Sequence, residues 1–147
     1  MAQGASHLGE VPVGALVVLN NRILSSGINL RESAKNPILH AEMVAIASAS
    51  ARLGAWRLSE CTLYVTLEPC LMCAGAIYQS RLPRVVFGAS DPKAGAYESL
   101  YQVAIDPRLN HRPLVSGGLM ASQSGQMLRD FFQARRRENL SKPITEI

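Results

Sequence analysis

Four residues in two short stretches, "HAEM" and "EPCLMC", have the types and spacing to work on a metal-bound water. Cys70 and Cys73 stand at i and i+3, so on a first helical turn their thiols lie on one side and can grip one ion. A helix N-terminus adds partial positive charge, which favours the ionised sulfur that a metal needs. His40 offers a ring nitrogen, and Glu42 follows it by two positions. Residues two apart on a helix point to nearly opposite sides, so His40 and Glu42 cannot meet on the helix flank. They can converge beyond its N-terminal end, where the first turn fans outward. His40, Cys70 and Cys73 then supply three ligands and leave one tetrahedral position for water, the catalytic zinc pattern, whereas structural sites close with four. Zinc lowers the pKa of its bound water to about 7. A carboxylate within reach can take that proton and return it to the substrate, which is the role open to Glu42.

Each feature alone has a plainer explanation, because a single C-x-x-C is common and a histidine at a helix start often serves as a cap or surface residue. It is their order, H-x-E then P-C-x-x-C, at two expected strand-to-helix junctions, that points to a catalytic metal. A zincin protease would need H-E-x-x-H, and no second histidine follows here.

The elements that must position these residues can be read along the chain. "VPVGALVVL" is an apolar, β-branched run closed by Asn20-Asn21, and "RILSSG" reads as the returning strand of a hairpin. A polar loop ends at Pro37, and "HAEMVAIASASARLG" has the composition of a helix stopped by Gly54. "CTLYVTL" reads as a buried strand, "EPCLMCAGAIYQS" as a helix with Pro69 near its start, and "RVVFG" as another strand. "PLVSGGL" is a last short extended piece. "QMLRDFFQARRREN" closes as an amphipathic helix with Met127, Leu128, Phe131 and Phe132 on one face. Strands alternating with helices after an opening hairpin predict an α/β sandwich with a partly parallel sheet, and the crevice at the carboxyl ends of such strands is where ligands bind.

The 147 residues predict a single domain, with 48% hydrophobic and 18% charged residues and a net charge of +4. That charge permits a polyanionic partner without requiring one. No basic, apolar leader opens the chain and no apolar run is long enough to cross a bilayer, so the expectation is a cytoplasmic protein without membrane contact. Three cysteines in such a setting are more often ligands or catalytic than bridged. Cys61, remote from the motif, reads as a small buried thiol.

"GEVPVGALVV", "HAEM", "TLYVTLEPCLMCAGAI", "RVVFGASDPKAGA", "DPRLNHRP" and "LRDFFQARRR" together resemble, in order and over nearly all of residues 9–138, the bacterial tRNA-adenosine deaminases. H-x-E with P-C-x-x-C is the signature of zinc nucleobase deaminases. The resemblance implies a three-layer α/β/α sandwich of the cytidine-deaminase type around a mixed sheet of about five strands. It implies one zinc per subunit on His40, Cys70 and Cys73, with Glu42 as proton shuttle. The reaction implied is hydrolytic deamination of adenosine to inosine at the wobble position (34) of a tRNA anticodon stem-loop, by a homodimer. It further places Asn29, Ala41, Asp91, Lys93, Asn110 and His111 against the substrate. Arg135, Arg136 and Arg137 become candidate RNA phosphate contacts, although cations at a helix C-terminus also complement its dipole.

Two departures from the family pattern stand out. Only nine residues precede Glu10, where the family has a full amphipathic helix, so that helix is expected to be shortened or missing and a sheet face left partly bare. Tyr97 and Glu98 replace small residues, which adds bulk and negative charge near a substrate loop. Two other functions remain open: a deaminase of a free base, nucleoside or nucleotide on the same fold, and a zinc-stabilised RNA-binding module without catalysis. The second needs a fourth protein ligand, and His7, Cys61 and His111 lack the spacing to provide it.

Overall fold

The computed structural model describes residues 1–140; residues 141–147, the tail of the expected 1–147 domain, lie outside the described residues. A short helix α1 (Ala2–His7) leads into the hairpin of β1 (Gly14–Leu19) and β2 (Arg22–Ile28). Then come α2 (Ala41–Leu53), β3 (Cys61–Leu67), α3 (Leu71–Gln79), β4 (Arg84–Ala89), a 3-10 turn at Val103–Ile105, β5 (Leu114–Ser116) and α4 (Ala121–Leu140). The five strands form one mixed sheet in the order β2-β1-β3-β4-β5. β1 is antiparallel to both its neighbours, while β3, β4 and β5 are mutually parallel.

Strand direction decides where the chemistry can sit. Since β1 runs against both β2 and β3, those two strands point the same way, and β4 follows β3. The ends of β2, β3 and β4 and the start of β1 therefore meet along one edge of the sheet. α2 and α3 both begin at that edge.

The period of two in the strands sorts side chains between the layers. Ala15, Val17, Cys61, Leu63, Val65, Val85 and Phe87 are buried with Ala41, Ala45, Ile46 and Ala49 of α2 and with Ala74 and Ile77 of α3. The alternate residues Leu16, Tyr64 and Val86 face Leu119, Met120 and Met127 at the start of α4. This is the three-layer sandwich expected from the sequence.

α1 is a helix of six residues that buries Ala2 and Ala5, at the place where a shortened or missing helix was expected. Between it and α4, an apolar groove lined by Met1, Leu16, Tyr64, Val86 and Met127 remains open. α4 buries less than its pattern suggests. Leu128 packs on the core and Phe131 is half-buried, but Phe132, turned about 100° around the helix from Phe131, is exposed. The two rings meet edge-on at 5.5 Å. Cys61 is buried, as expected.

The packing of β2 against α2 is unusually close and depends on small residues. A Cβ on Gly27 would lie 2.2 Å from the Ala41 carbonyl oxygen and 2.7 Å from the Ala45 nitrogen. The Ser25 hydroxyl donates to the Ala45 carbonyl at 2.7 Å, fixing the same contact. Gly27→Ala is therefore expected to push α2 off the sheet and to cost about 1–3 kcal/mol, the usual penalty of overpacking, seen as a lower urea midpoint with an unchanged slope.

Candidate active site and metal centre

Both ligand-bearing turns are helix starts. His40 is the N-cap of α2, with extended backbone (φ −72°, ψ 157°), and Cys70 is the N-cap of α3, also extended (φ −76°, ψ 174°). Cap residues stand outside the helical spiral, so their side chains can reach across the helix end. Cys73, three positions on, joins Cys70 at the mouth of α3. His40 Nδ1 lies 3.6 Å from Cys70 Sγ and 3.6 Å from Cys73 Sγ. The three ligand atoms lie within 4.8 Å of one another, the one such His, Cys or carboxylate group found among the described residues. Bonds of about 2.0–2.1 Å to nitrogen and about 2.3 Å to sulfur, set at a tetrahedral angle, give a nitrogen–sulfur separation of about 3.6 Å. The donor set fits zinc in type and in spacing.

Charge within this cluster is already sorted. The Cys73 thiol beside Cys70, helped by the His40 ring, holds the Cys70 thiol down to about 4, although burial opposes it. Cys73 is pushed up, first by its hydrogen bond to Cys70 and then by burial and the Glu42 carboxylate. The Cys70 thiol in turn raises His40. Cys70 is thus the more readily ionised of the two thiols, and the thiolate is the form that binds a metal.

Glu42 is 4% exposed at the second position of α2, and burial raises its carboxyl above the ordinary value. Its side chain reaches Cys73 and its own backbone N–H. His40, Glu42 and Cys70 line one cleft at the sheet edge, together with Val11, Val13, Asn29, Arg31, Ala41, Leu67, Glu68, Asp91 and Ala94.

Of the remaining candidates, Asn29, Ala41 and Asp91 line this cleft. Asn29 is 6% exposed, and its amide nitrogen donates to Glu10 Oε2 at 3.1 Å. Asp91 Oδ1 accepts from the Lys93 backbone N–H at 3.0 Å; the Lys93 side chain is exposed and outside the cleft lining. Asn110 and His111 are not brought to the cleft. Asn110 Oδ1 accepts from Tyr78 Oη at 2.8 Å and from Arg81 at 2.6 Å, and the His111 ring meets the Leu82 carbonyl at 2.8 Å. These contacts lie at the C-terminal end of α3, a helix length from Cys70. Arg135, Arg136 and Arg137 are exposed on α4. Arg135 and Arg136 share a groove with Arg31, Phe131 and Phe132, and Arg31 and Val11 also line the cleft. Tyr97 corrects an expectation: its ring is buried in the core, so its bulk points inward, and of the pair Tyr97 and Glu98 it is Glu98 that is exposed.

Two residues of the site, Glu10 and Glu68, carried no assignment from sequence. Both are fully buried carboxylates in otherwise apolar stretches, "EVPVG" and "TLEP". A charge inside a buried run must be hydrogen-bonded, and that was the available signal. Glu10 accepts from Asn29, from the Glu32 N–H at 3.2 Å, and from the Ser33 N–H at 2.6 Å and hydroxyl at 2.7 Å. It ties the chain after β2 to the start of β1. Burial pushes the Glu10 carboxyl up, but the Ser33 and Glu32 hydrogen bonds and the charge of Arg31 outweigh it and hold the carboxyl low.

Three comparisons bear on this arrangement. A family model described as MafB19-like deaminase matches residues 1–136. A protein from Bacillus subtilis (strain 168) named tRNA-specific adenosine deaminase is 46% identical over 147 aligned positions, covering 96% of this chain and 91% of that one. One of the same name from Streptococcus pyogenes serotype M1 is 44% identical over 144, covering 97% and 84%. A solved structure from work on A-to-I editing by tRNA:A34 deaminases at the wobble position of transfer RNA superimposes with a TM-score of 0.83 at 42% identity. It covers 86% of this chain and 92% of its own.

A carboxylate held below its ordinary value of 4.5 stabilises the fold above that pH and loses its contribution as pH falls through the folded value. Glu10→Gln is therefore expected to be less stable than the parent at pH 7, by about 1–3 kcal/mol for a carboxylate acceptor lost from a buried network. The gap should narrow steadily below pH 4.5. Urea unfolding of both proteins across that range measures it, and a gap independent of pH would refute the assignment.

Proposed function

The chain belongs to the tRNA-specific adenosine deaminases, within the MafB19-like deaminase family, and we propose that it converts adenosine to inosine at the wobble position (34) of tRNA anticodons. Deamination is supported by His40 Nδ1 standing 3.6 Å from two cysteine sulfurs with the Glu42 carboxylate in the same cleft, and the tRNA substrate by relatives of that name 44–46% identical over most of the chain.

His40, Cys70 and Cys73 would hold one zinc per subunit. Bound zinc would supply a water acidic enough to lose its proton near neutral pH. Glu42 would be the proton carrier: it would accept a proton from the attacking water, pass it to purine N1 as the hydroxyl adds at C6, and then move the hydroxyl proton to the 6-amino group, which leaves as ammonia. Burial raises the Glu42 carboxyl above its ordinary value, the direction that suits a group which must hold a proton as well as accept one. The overall balance is water plus adenosine giving inosine plus ammonia.

Asn29, Ala41 and Asp91 would contact the target nucleotide from the cleft wall, with Lys93 at its rim. Arg135, Arg136 and Arg137 would meet RNA phosphates. Support for this comes from the groove that Arg135 and Arg136 share with Arg31, because Arg31 reaches the cleft itself. Asn110 and His111, engaged with Tyr78, Arg81 and Leu82, are assigned to bracing the 106–113 segment against α3.

The protein is taken as a single-domain, cytoplasmic enzyme, where its substrate would be met. Among the described residues no helix is long and apolar enough to cross a membrane. A homodimer is supported by Leu71 on the first turn of α3 and by Leu100 and Tyr101 on the neighbouring loop, all roughly half exposed. Sedimentation should give twice the 15.9 kDa chain mass.

The decisive experiment couples zinc analysis to inosine detection on an anticodon stem-loop carrying A at the wobble position. One zinc per chain and inosine in the stem-loop are expected. Turnover of free adenosine or guanine alone would favour a nucleoside or base deaminase, which shares the same metal site. Glu42→Ala should keep its zinc and lose activity by about 10²–10⁴-fold or more, whereas Cys70→Ala should lose the metal. A Glu42→Ala enzyme at full rate would exclude this mechanism.

A further inference from the structure

Glu68 stands between the end of β3 and the ligand Cys70 and is 2% exposed, yet it has no part in the reaction described above. Its two oxygens gather a whole loop. Oε1 accepts three consecutive backbone N–H groups, from Tyr97 at 3.1 Å, Glu98 at 2.7 Å and Ser99 at 2.9 Å. Oε2 accepts the Asp91 N–H at 2.9 Å and the Ser99 hydroxyl. The 91–99 loop is thus closed around one carboxylate.

Further ties bind that loop to the metal-ligand turn itself. The Ala96 N–H donates to the Pro69 carbonyl at 2.9 Å, and Cys70 forms a bridge with Gly95. Gly95 is required there, because a Cβ would come within 2.3 Å of the Glu68 carboxyl carbon. From this loop Asp91 and Ala94 line the cleft that also holds His40 and Glu42.

We propose that Glu68 is a positioning residue for substrate: its carboxylate fixes the 91–99 loop to the Cys70 turn, so that Asp91 and Ala94 form a preformed wall for the target nucleotide. The proposal rests on the reading of this cleft as the adenosine site. A carboxylate suits the task better than any neutral side chain. It is an acceptor at both oxygens, and all five groups facing it are donors. Glutamine keeps the shape but turns one oxygen into an NH2, which would face the Asp91 N–H or the row from Tyr97 to Ser99. Preorganisation of this kind lowers the ordering cost of binding, so its loss appears in KM before kcat.

The test uses the full-length, zinc-loaded protein and the wobble-A stem-loop. Glu68→Gln is expected to raise KM roughly tenfold, the equivalent of one charge-assisted hydrogen bond. Its kcat should stay within about threefold and its zinc content should not change, while amide hydrogen exchange accelerates across residues 91–99. Ser99→Ala, which removes one donor from an exposed position, should move KM and exchange the same way by a smaller factor. A purely structural role predicts instead a lower kcat from a smaller folded fraction at unchanged KM, and that result would overturn the proposal. So would unaltered exchange at 91–99 in Glu68→Gln, or, if that variant does not fold, unaltered KM and exchange in Ser99→Ala. The exchange measurement needs no substrate. A parent enzyme that fails on the stem-loop would therefore sink the activity reading while leaving the role of Glu68 to be judged on its own.

Discussion

One imidazole nitrogen 3.6 Å from each of two sulfurs is the geometry on which the rest of the molecule depends. Holding it requires two helix N-termini side by side, since His40 and Cys70 are both caps. Side-by-side starts require two strands that run the same way and end at one edge. β2 and β3 do so only because β1 lies antiparallel between them. The opening hairpin is thus more than a lid on the sheet, because it sets the direction of the strand that launches α2.

Close packing then converts this topology into a fixed distance. α2 lies on β2 with no room for a side chain at Gly27, and its inward stripe is Ala41, Ala45 and Ala49. Small residues allow backbone to approach backbone, and a short lever between sheet and helix leaves little play at the cap. A helix carried on larger side chains would sit farther out and move His40 with it.

Charge is managed by a second set of buried groups. Glu10 and Glu68 are each surrounded by donors from a loop that lines the cleft. Buried charges are costly unless fully hydrogen-bonded, and each carboxylate meets that need with several donors from one loop. Glu42 differs because its partners are the cysteine cluster and its own backbone, and burial raises it. Two of the three buried carboxylates are thus held low and one is pushed up.

Much of this was determined by sequence alone. The meeting of His40, Cys70 and Cys73 and the order of elements could be read from local spacing, because H-x-E, C-x-x-C, caps and strand periods are properties of neighbouring residues. The resemblance of six stretches to one family supplied the reaction. Other features depended on tertiary structure because they join residues far apart in the chain. Whether Asn110 and His111 reach the cleft turned on where the end of α3 lies. Tyr97 joins a core built from residues far from it in the chain, with its backbone N–H on the Glu68 carboxylate. Spacing can say which atoms are able to bind one ion, but only the folded sheet decides which loops are carried to the same edge, since strand direction and packing distance are set by contacts no local pattern records.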